Sequence, residues 1–254
     1  MPRVDTAPAF NTAPAFTTAP AFDTAPAFNT APASPDGCVS ASDLVSGVAL
    51  DHMLAAAGLR WAAGPAAAAA LAWKTYTYQV AMPAVIGFGV ARRVPLPRPE
   101  DLLVLYGARR PFLTVLARRQ AVAVLPDDPI AGVPGTLVLP DEATMLAMVR
   151  ETLVDGHLAP VLDQLRQRVR LGARTLWGSL ASGVATGVSR AAADLRTPAL
   201  PTATALLAAL GVDDLVALTA LPDGGLRVRR NTCCLAFTLP GQPICSGCCI
   251  RPES

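Results

Sequence analysis

The chain has 254 residues, enough to bury a hydrophobic core without disulfide or metal staples, and we expect one large domain or one domain with a small appendage. Its formal net charge of +2 is too small to indicate a protein that binds nucleic acid or an anionic membrane. The sequence has no run of about 20 consecutive apolar residues and no apolar N-terminal segment, so we expect no transmembrane helix, no signal peptide and a cytoplasmic location.

Residues 1–36 differ from the rest of the chain. From Asp5 to Ser34 the sequence repeats a hexapeptide whose first copy is Asp-Thr-Ala-Pro-Ala-Phe. A proline in every repeat blocks helices and strand ladders, and six residues is too short a period for a solenoid. We therefore predict a disordered, low-complexity tail over residues 1–36. Its phenylalanines could contact a partner, but a repeat expansion without a role is the simpler interpretation.

The next segment predicts helices followed by strands. Ser42-Asp43 can cap a helix that runs to about Ala57, and a second helix fits Pro65 to Met82, with Pro83 after its end. Short β-rich pieces then alternate with Pro, Gly and Asp. We expect them to form one small antiparallel sheet from residues 85–86, 102–106, 112–116, 121–125 and 136–139.

A helical pattern returns at Asp141, which can cap a helix that Gly156 ends. Further helices are predicted over residues 160–169, 173–193 and 201–210. The helix over residues 173–193 is rich in Gly, Ser and Ala, and close packing against another helix explains these small residues more simply than a ligand site does.

The predicted fold class is α+β and predominantly helical, with a small antiparallel sheet in the middle. At the C-terminus we expect a short hairpin or turn that carries cysteines, with strands over residues 226–230 and 235–239. We accordingly divide the folded part into a main α+β domain, residues 37–225, and a C-terminal segment, residues 226–254.

The C-terminal cysteines are the most specific feature of the sequence. Five of the six cysteines lie between residues 233 and 249, in the pattern CC-x10-C-x2-C followed by one more thiol. In a reducing compartment, thiols grouped this closely more often bind a soft metal than form disulfides. The spacing supports a [2Fe–2S] cluster and a structural zinc site about equally, and disulfides or unligated thiols remain alternatives. Cys38, far from the others in sequence, is expected to be a lone free thiol.

The adjacent pair Cys233 and Cys234 constrains the backbone. Neighbouring side chains in a regular strand point to opposite faces, so the pair can serve one site only where the backbone is irregular. We therefore predict a turn or irregular segment over residues 232–234. Pro240-Gly241 is expected to make the return turn that brings Cys245 and Cys248 back to the pair, with Gly247 leaving backbone N–H groups free to approach sulfur.

Two motifs resemble those of a known family. The run Arg-Arg-Asn-Thr-Cys-Cys-Leu at residues 229–235, followed by Pro-Gly-x-x-x-Cys-x-x-Cys, is similar to the C-terminal end of ferric-siderophore reductases of the FhuF type. The run Leu-Trp-Gly-Ser-Leu-Ala-Ser at residues 176–182 resembles an upstream segment of that family, with Ser179 where asparagine is expected. Cys249 stands where proline is expected, which leaves open whether Cys248 or Cys249 is the fourth ligand.

The resemblance implies a [2Fe–2S] cluster held by Cys233, Cys234, Cys245 and Cys248. It further implies one-electron reduction of iron(III) in a siderophore complex and release of iron(II). The sequence has no dinucleotide-binding motif, so we expect an external electron donor such as a ferredoxin, a flavodoxin or a reductase. Transient contact with an uptake permease in the membrane is left open. The alternative function is a non-enzymatic binding protein with a structural zinc site held by four cysteines.

Other residues near these motifs have expected roles. We expect the substrate pocket where the helical layer around Trp177 meets the cysteines. We expect His52 and His157 to be ordinary structural or surface residues, and no catalytic acid–base residue is predicted. Four arginines near the thiols could raise the potential of a cluster, attract an anionic chelate or simply be solvated: Arg227, Arg229, Arg230 and Arg251.

Overall fold

The computed structural model describes residues 37–109, 111–239 and 247–250. Seven α-helices lie in this part of the chain: α1 (Ala41–Val45), α2 (Leu50–Trp61), α3 (Pro65–Ala91), α4 (Glu142–Val149), α5 (Ala159–Arg168), α6 (Ala173–Arg190) and α7 (Ala199–Leu210). A π-helix, Arg150–Leu158, joins α4 to α5. The predicted tail of residues 1–36 and the predicted turn at Pro240-Gly241 lie outside the described residues.

The strands of the described part form three small sheets. They are β1 (Gly37–Ser40), β2 (Val94–Leu96), β3 (Leu102–Tyr106), β4 (Leu113–Ala117), β5 (Ala121–Val124), β6 (Thr136–Val138), β7 (Val216–Ala220) and β8 (Leu226–Arg230). The first sheet has the order β1-β3-β4 and is antiparallel, the second has the order β2-β5-β6, and β7 and β8 form an antiparallel hairpin. The predicted α+β, predominantly helical fold class is confirmed.

The middle of the chain departs from the single antiparallel sheet that we expected. Its strands are shared between two sheets, and β6 runs parallel to β5, with Val122 paired to Thr136. A parallel neighbour needs a longer connection than a hairpin does. Residues 125–135 supply it, because their prolines and glycines form successive turns instead of a tight hairpin.

The first predicted helix is in fact two helices. Ser40, and not Ser42, is the N-cap, and its N–H donates to Asp43 Oδ2 at 3.1 Å in a capping box. Gly47 then adopts a φ of 85°, which ends α1 before α2 begins. The predicted end near Ala57 is also early, because α2 continues to Trp61.

Helix α3 continues past the position where we expected it to end. Pro83 lies inside the helix, and the residues predicted as a strand, Val85-Ile86, belong to it. A proline removes one backbone hydrogen bond, but apolar residues on both sides of Pro83 are buried, which offsets that loss. The helix ends at Arg92, which has a φ of 54° and donates through Nη1 to Phe88 O at 2.6 Å.

Asp141 caps α4 as predicted, since its Oδ1 accepts from the N–H of Thr144 at 2.7 Å. Gly156 does not end the helix, which was a wrong prediction. Helical backbone runs on through the π-helix into α5 because the residues after Gly156, His157 and Leu158, are buried against the core.

Helices α3 and α6 pack closely at the centre of the molecule. The indole Nε1 of Trp73 on α3 donates to Leu176 O on α6 at 2.7 Å. A Cβ added at Gly187 would lie 2.5 Å from the sulfur of Met82, so the Met82 side chain would have to shift to admit one. The small residues of α6 therefore serve helix packing at this end of the helix.

Within the described residues, no single helix has both the length and the apolar character needed to cross a bilayer. Helices α2 and α3 meet that test only together, and they are bent by 103° relative to one another.

Candidate functional site

The hairpin of β7 and β8 leads directly into the cysteine segment, residues 231–250. Asn231 anchors the start of this segment, because its N–H donates to Leu215 O and its Nδ2 donates to Asp214 O, both at 2.9 Å. The backbone of residues 231–235 belongs to no helix or strand, which confirms the predicted irregular segment. Leu235 has a φ of 60° and turns the chain sharply.

The predicted strand over residues 235–239 is wrong. The structure has a single 3-10 turn there, Ala236–Thr238. The left-handed conformation of Leu235 prevents an extended strand, and Thr238 closes the turn by donating from Oγ1 to Leu235 O at 2.7 Å.

The thiols of both halves of the cysteine motif lie near each other. Burial raises the pKa of the Cys249 thiol, and the charges of Cys233 and Cys248 raise it further. Cys249 also hydrogen-bonds Cys248, and the N–H of Leu235 donates to Cys233 Sγ at 3.3 Å. Cys234 is nearly fully buried, as is Cys248. The fold therefore brings residues 248–249 back to the pair at 233–234.

The other two cysteines, Cys38 and Cys245, are not placed with this group in the described structure. Cys245, the third predicted ligand, lies outside the described residues. In the described part of the chain, no group of three or more His, Cys, Asp or Glu residues is arranged to hold a metal ion. Cys38 is exposed on β1, where it pairs with Leu105, and it is a free thiol.

The chemistry of the donor set fits a soft metal. The neighbouring thiols raise the pKa of Cys249, and a bound cation would remove the repulsion between thiolates. Four thiolates satisfy either an iron–sulfur cluster or a tetrahedral zinc ion. Cys233, Cys234, Cys245 and Cys248 are the residues that would hold such a group.

The second half of the motif packs directly on β8. The carbonyl of Gly247 accepts a hydrogen bond from the N–H of Arg230 at 2.8 Å. A Cβ added at Gly247 would overlap the carbonyl oxygen of Val228, so only glycine allows this approach. That the small residues Ser246 and Gly247 leave backbone N–H groups free to approach a cluster stays a prediction; in the described chain, Leu235 N–H donates to Cys233 Sγ, and the backbone of Cys249 hydrogen-bonds its own thiol.

The two motifs that carry the family resemblance touch each other. A Cβ added at Gly178 on α6 would overlap Thr232 Oγ1. The neighbouring Ser179 accepts a hydrogen bond through Oγ from Arg230 Nη2 at 3.2 Å. Trp177 packs edge-on against Trp73, with ring centroids 5.8 Å apart. Ser179 is therefore the residue of this motif that hydrogen-bonds Arg230 of β8.

An open cavity of about 570 Å³ lies between α3, α6 and β8, beside the cysteine segment. Arg230 and Gly247 line it where it meets that segment. We expected a pocket near Trp177; Ser179, two residues further along α6, lines it instead. The cavity is thus the meeting point of the helical layer and the cysteine segment.

Cationic and hydroxyl-bearing side chains line this cavity together with apolar ones such as Leu71 and Val228. The lining includes three cationic side chains, Lys74, Arg190 and Arg230, and no Asp or Glu among its described residues. Several hydroxyl groups line it as well, among them Tyr78, whose OH accepts from Arg190 Nη1 at 3.1 Å. The sequence did carry a signal for this surface, because polar residues recur every three or four positions along both α3 and α6.

Both histidines hydrogen-bond tyrosines and neither lines the cavity. His157 Nε2 lies 2.5 Å from the OH of Tyr76, and burial lowers the pKa of His157 to about 4 and raises that of Tyr76. His52 Nδ1 lies 3.0 Å from the OH of Tyr106. These contacts agree with the expected structural roles.

A scan of the chain against protein-family models finds no match, and a search of curated proteins finds no relative. The resemblance to ferric-siderophore reductases is therefore carried by the two motifs alone.

Proposed function

We propose that the protein is a cytoplasmic ferric-siderophore reductase that binds the iron(III) chelate in the cavity between α3, α6 and β8. The observation that carries this proposal is that one residue, Arg230, belongs to both features: it lines the cavity, and its backbone N–H holds the second half of the cysteine motif. The cavity and the cysteine segment are therefore adjacent, with Arg230 contacting both.

The cofactor of this proposal is a [2Fe–2S] cluster held by Cys233, Cys234, Cys245 and Cys248. When bound, such a cluster supplies electrons one at a time. An external ferredoxin, flavodoxin or reductase would provide them, since the sequence lacks a dinucleotide-binding motif.

The protein's own residues would bind and orient the chelate. A siderophore holds iron(III) through hard oxygen donors and holds iron(II) far less tightly, so one electron is sufficient to loosen the metal. Hydroxyl groups along α3 and α6, such as those of Tyr78 and Ser182, line the cavity and can hydrogen-bond these oxygens. No acid–base residue is required for this reaction, which agrees with two histidines that lie elsewhere.

A structural zinc site is the second candidate, and the burial of two thiols favours it. Cys234 is 3% exposed and Cys248 is 6% exposed. Structural zinc sites are closed and stabilise small irregular segments of the kind seen at residues 231–235. In this case the protein would bind a ligand without transferring electrons.

Anaerobic purification followed by iron, labile sulfide and zinc analysis separates the two candidates. The dithionite-reduced sample should give the electron paramagnetic resonance signal of a [2Fe–2S] cluster. Cys233→Ser and Cys245→Ser should each lose the iron and the reduction of ferric chelates, whereas the control Cys38→Ser, which changes an exposed thiol on β1, should keep both. Zinc in place of iron, or full activity in either ligand variant, would overturn the reductase assignment.

A further inference from the structure

The cavity concentrates positive charge within a nearly neutral protein. The whole chain carries a net charge of only +2, yet Lys74, Arg190 and Arg230 all line the cavity and its described lining contains no carboxylate. None of the three forms a salt bridge with an acid in the described chain. Concave surfaces lined by one sign of charge focus the field and attract ligands of the opposite sign.

Arg230 is the most unusual of these cations because it is 4% exposed. Its Nε donates to Thr232 O and its Nη2 donates to Ser179 Oγ, both at 3.2 Å. Its Nη1 is buried without a hydrogen-bond partner among the described residues. A buried cation without a counter-charge is unfavourable, and an anionic ligand in the adjoining cavity would relieve that cost.

The rest of the lining suits a ligand rich in oxygen. Ser182 and Thr186 of α6 and Tyr78 of α3 contribute hydroxyl groups to it, beside apolar residues such as Leu71. Hydroxyl groups both donate to anionic oxygens and accept from neutral ones. A volume of about 570 Å³ is within the usual range for a site that binds a small molecule.

We propose that this cavity selects oxygen-donor metal chelates with a net negative charge over neutral chelates of similar size. Lys74 and Arg190 are the specificity-determining residues at its open side, and Arg230 supplies the buried charge at its inner wall. This inference rests on the proposed function for the identity of the metal, but binding itself requires no electron transfer.

Gallium(III) complexes test the inference, because gallium(III) matches iron(III) in size and charge and is not reduced under these conditions. The affinity of the anaerobically purified protein is measured by calorimetry for gallium complexes of a tripodal tris-catecholate, which is trianionic, and of a tripodal tris-hydroxamate, which is neutral. The trianionic complex should bind at least about tenfold more tightly, and this preference should shrink at about 1 M salt, where the Debye length is about 3 Å.

The variants Lys74→Gln and Arg190→Gln avoid the buried Arg230 and keep its packing intact. Each should weaken binding of the trianionic complex by about three- to tenfold while changing that of the neutral complex by less than about twofold. Arg98→Gln is the matched control, since Arg98 is an exposed arginine outside the cavity lining, and it should change neither affinity.

Equal affinities for the two complexes, or equal effects of Lys74→Gln on both, would overturn the inference. Its failure is distinguishable from that of the proposed function. Charge selectivity without reduction of the iron(III) complexes would support the inference and reject the reductase. Reduction of iron(III) complexes without charge selectivity would support the reductase and reject the inference.

Discussion

Replacement of Gly178 by alanine tests the contact between α6 and the cysteine segment. The added Cβ would overlap Oγ1 of Thr232 and would lie 2.9 Å from its Cβ and 3.1 Å from its Cγ2. Real Cβ atoms essentially never approach a neighbour within 3.0 Å, so either α6 or the segment that leads to Cys233 must move. The change therefore separates two motifs that the wild-type fold holds in contact.

The expected magnitude follows from two opposing effects. Alanine in place of glycine inside a helix stabilises it by about 1 kcal/mol. Overpacking of a close contact costs about 1–3 kcal/mol, and the clash at Gly178 involves every atom of the Thr232 side chain. We expect the free energy of unfolding to fall by up to about 2 kcal/mol relative to wild type.

Gly183 offers a matched control on the same helix. A Cβ there would lie 3.5 Å from Tyr78 Cδ2, an ordinary van der Waals contact. Gly183→Ala should therefore leave the free energy of unfolding unchanged or raise it by up to about 1 kcal/mol. Urea unfolding monitored by circular dichroism measures both variants, and metal content per chain shows whether the cysteine segment has shifted.

A second substitution at the contact provides the decisive comparison. Thr232→Ala removes the two outer atoms that clash, and Thr232 Oγ1 has no hydrogen-bond partner in the described chain, so its loss should itself cost little. Gly178→Ala combined with Thr232→Ala should be more stable than the two single effects predict, by about 1 kcal/mol. The reasoning is refuted if Gly178→Ala is as stable as Gly183→Ala, or if the double variant shows no coupling.

Three further predictions concern stability and metal binding. His157 has a pKa of about 4 in the fold against 6.5 ordinarily, so its stabilising effect is complete above pH 6.5 and falls by about 3 kcal/mol as the pH drops through 4; His157→Gln should flatten that part of the urea-unfolding profile. Arg92→Ala should lower the free energy of unfolding by about 2–3 kcal/mol, because it removes a buried guanidinium that donates to Glu142 at 2.7 Å. Cys249→Ser should keep the metal content of the parent protein, whereas Cys248→Ser should lose it, as elemental analysis will show.

Each of these has a contrary outcome. A pH profile of His157→Gln that runs parallel to the parent between pH 6.5 and 4 would contradict the role given to burial. Unchanged stability of Arg92→Ala would contradict the contribution given to the hydrogen bonds of Arg92. Metal loss in Cys249→Ser alone would identify Cys249, and not Cys248, as the fourth ligand.

Local signals predicted several helix and strand positions because short-range contacts fix them. Asp141 caps α4 through its own side chain, and residues 226–230 form the strand that their alternation indicates. Two of the errors occurred where burial outweighs a local breaker. Pro83 and Gly156 both sit inside helices whose neighbouring residues are buried in the core.

The candidate site was predictable to a different degree. The irregular backbone beside Cys233 followed from the adjacency of two cysteines and is present in the structure. The cavity depends on how α3 and α6 pack, which places Lys74 and Arg190 in one lining although 116 positions separate them in the printed sequence. A single sequence does not report such packing, so the basic lining became visible only in the fold.

Arg230 acts at two places at once: its guanidinium forms part of the cavity wall, and its peptide N–H fastens Gly247, the residue before Cys248. Under the proposed function, chelate binding in the cavity and metal binding by the cysteines would be linked equilibria that share this residue. By reciprocity, whatever factor a bound chelate adds to metal retention, the metal must return to chelate affinity.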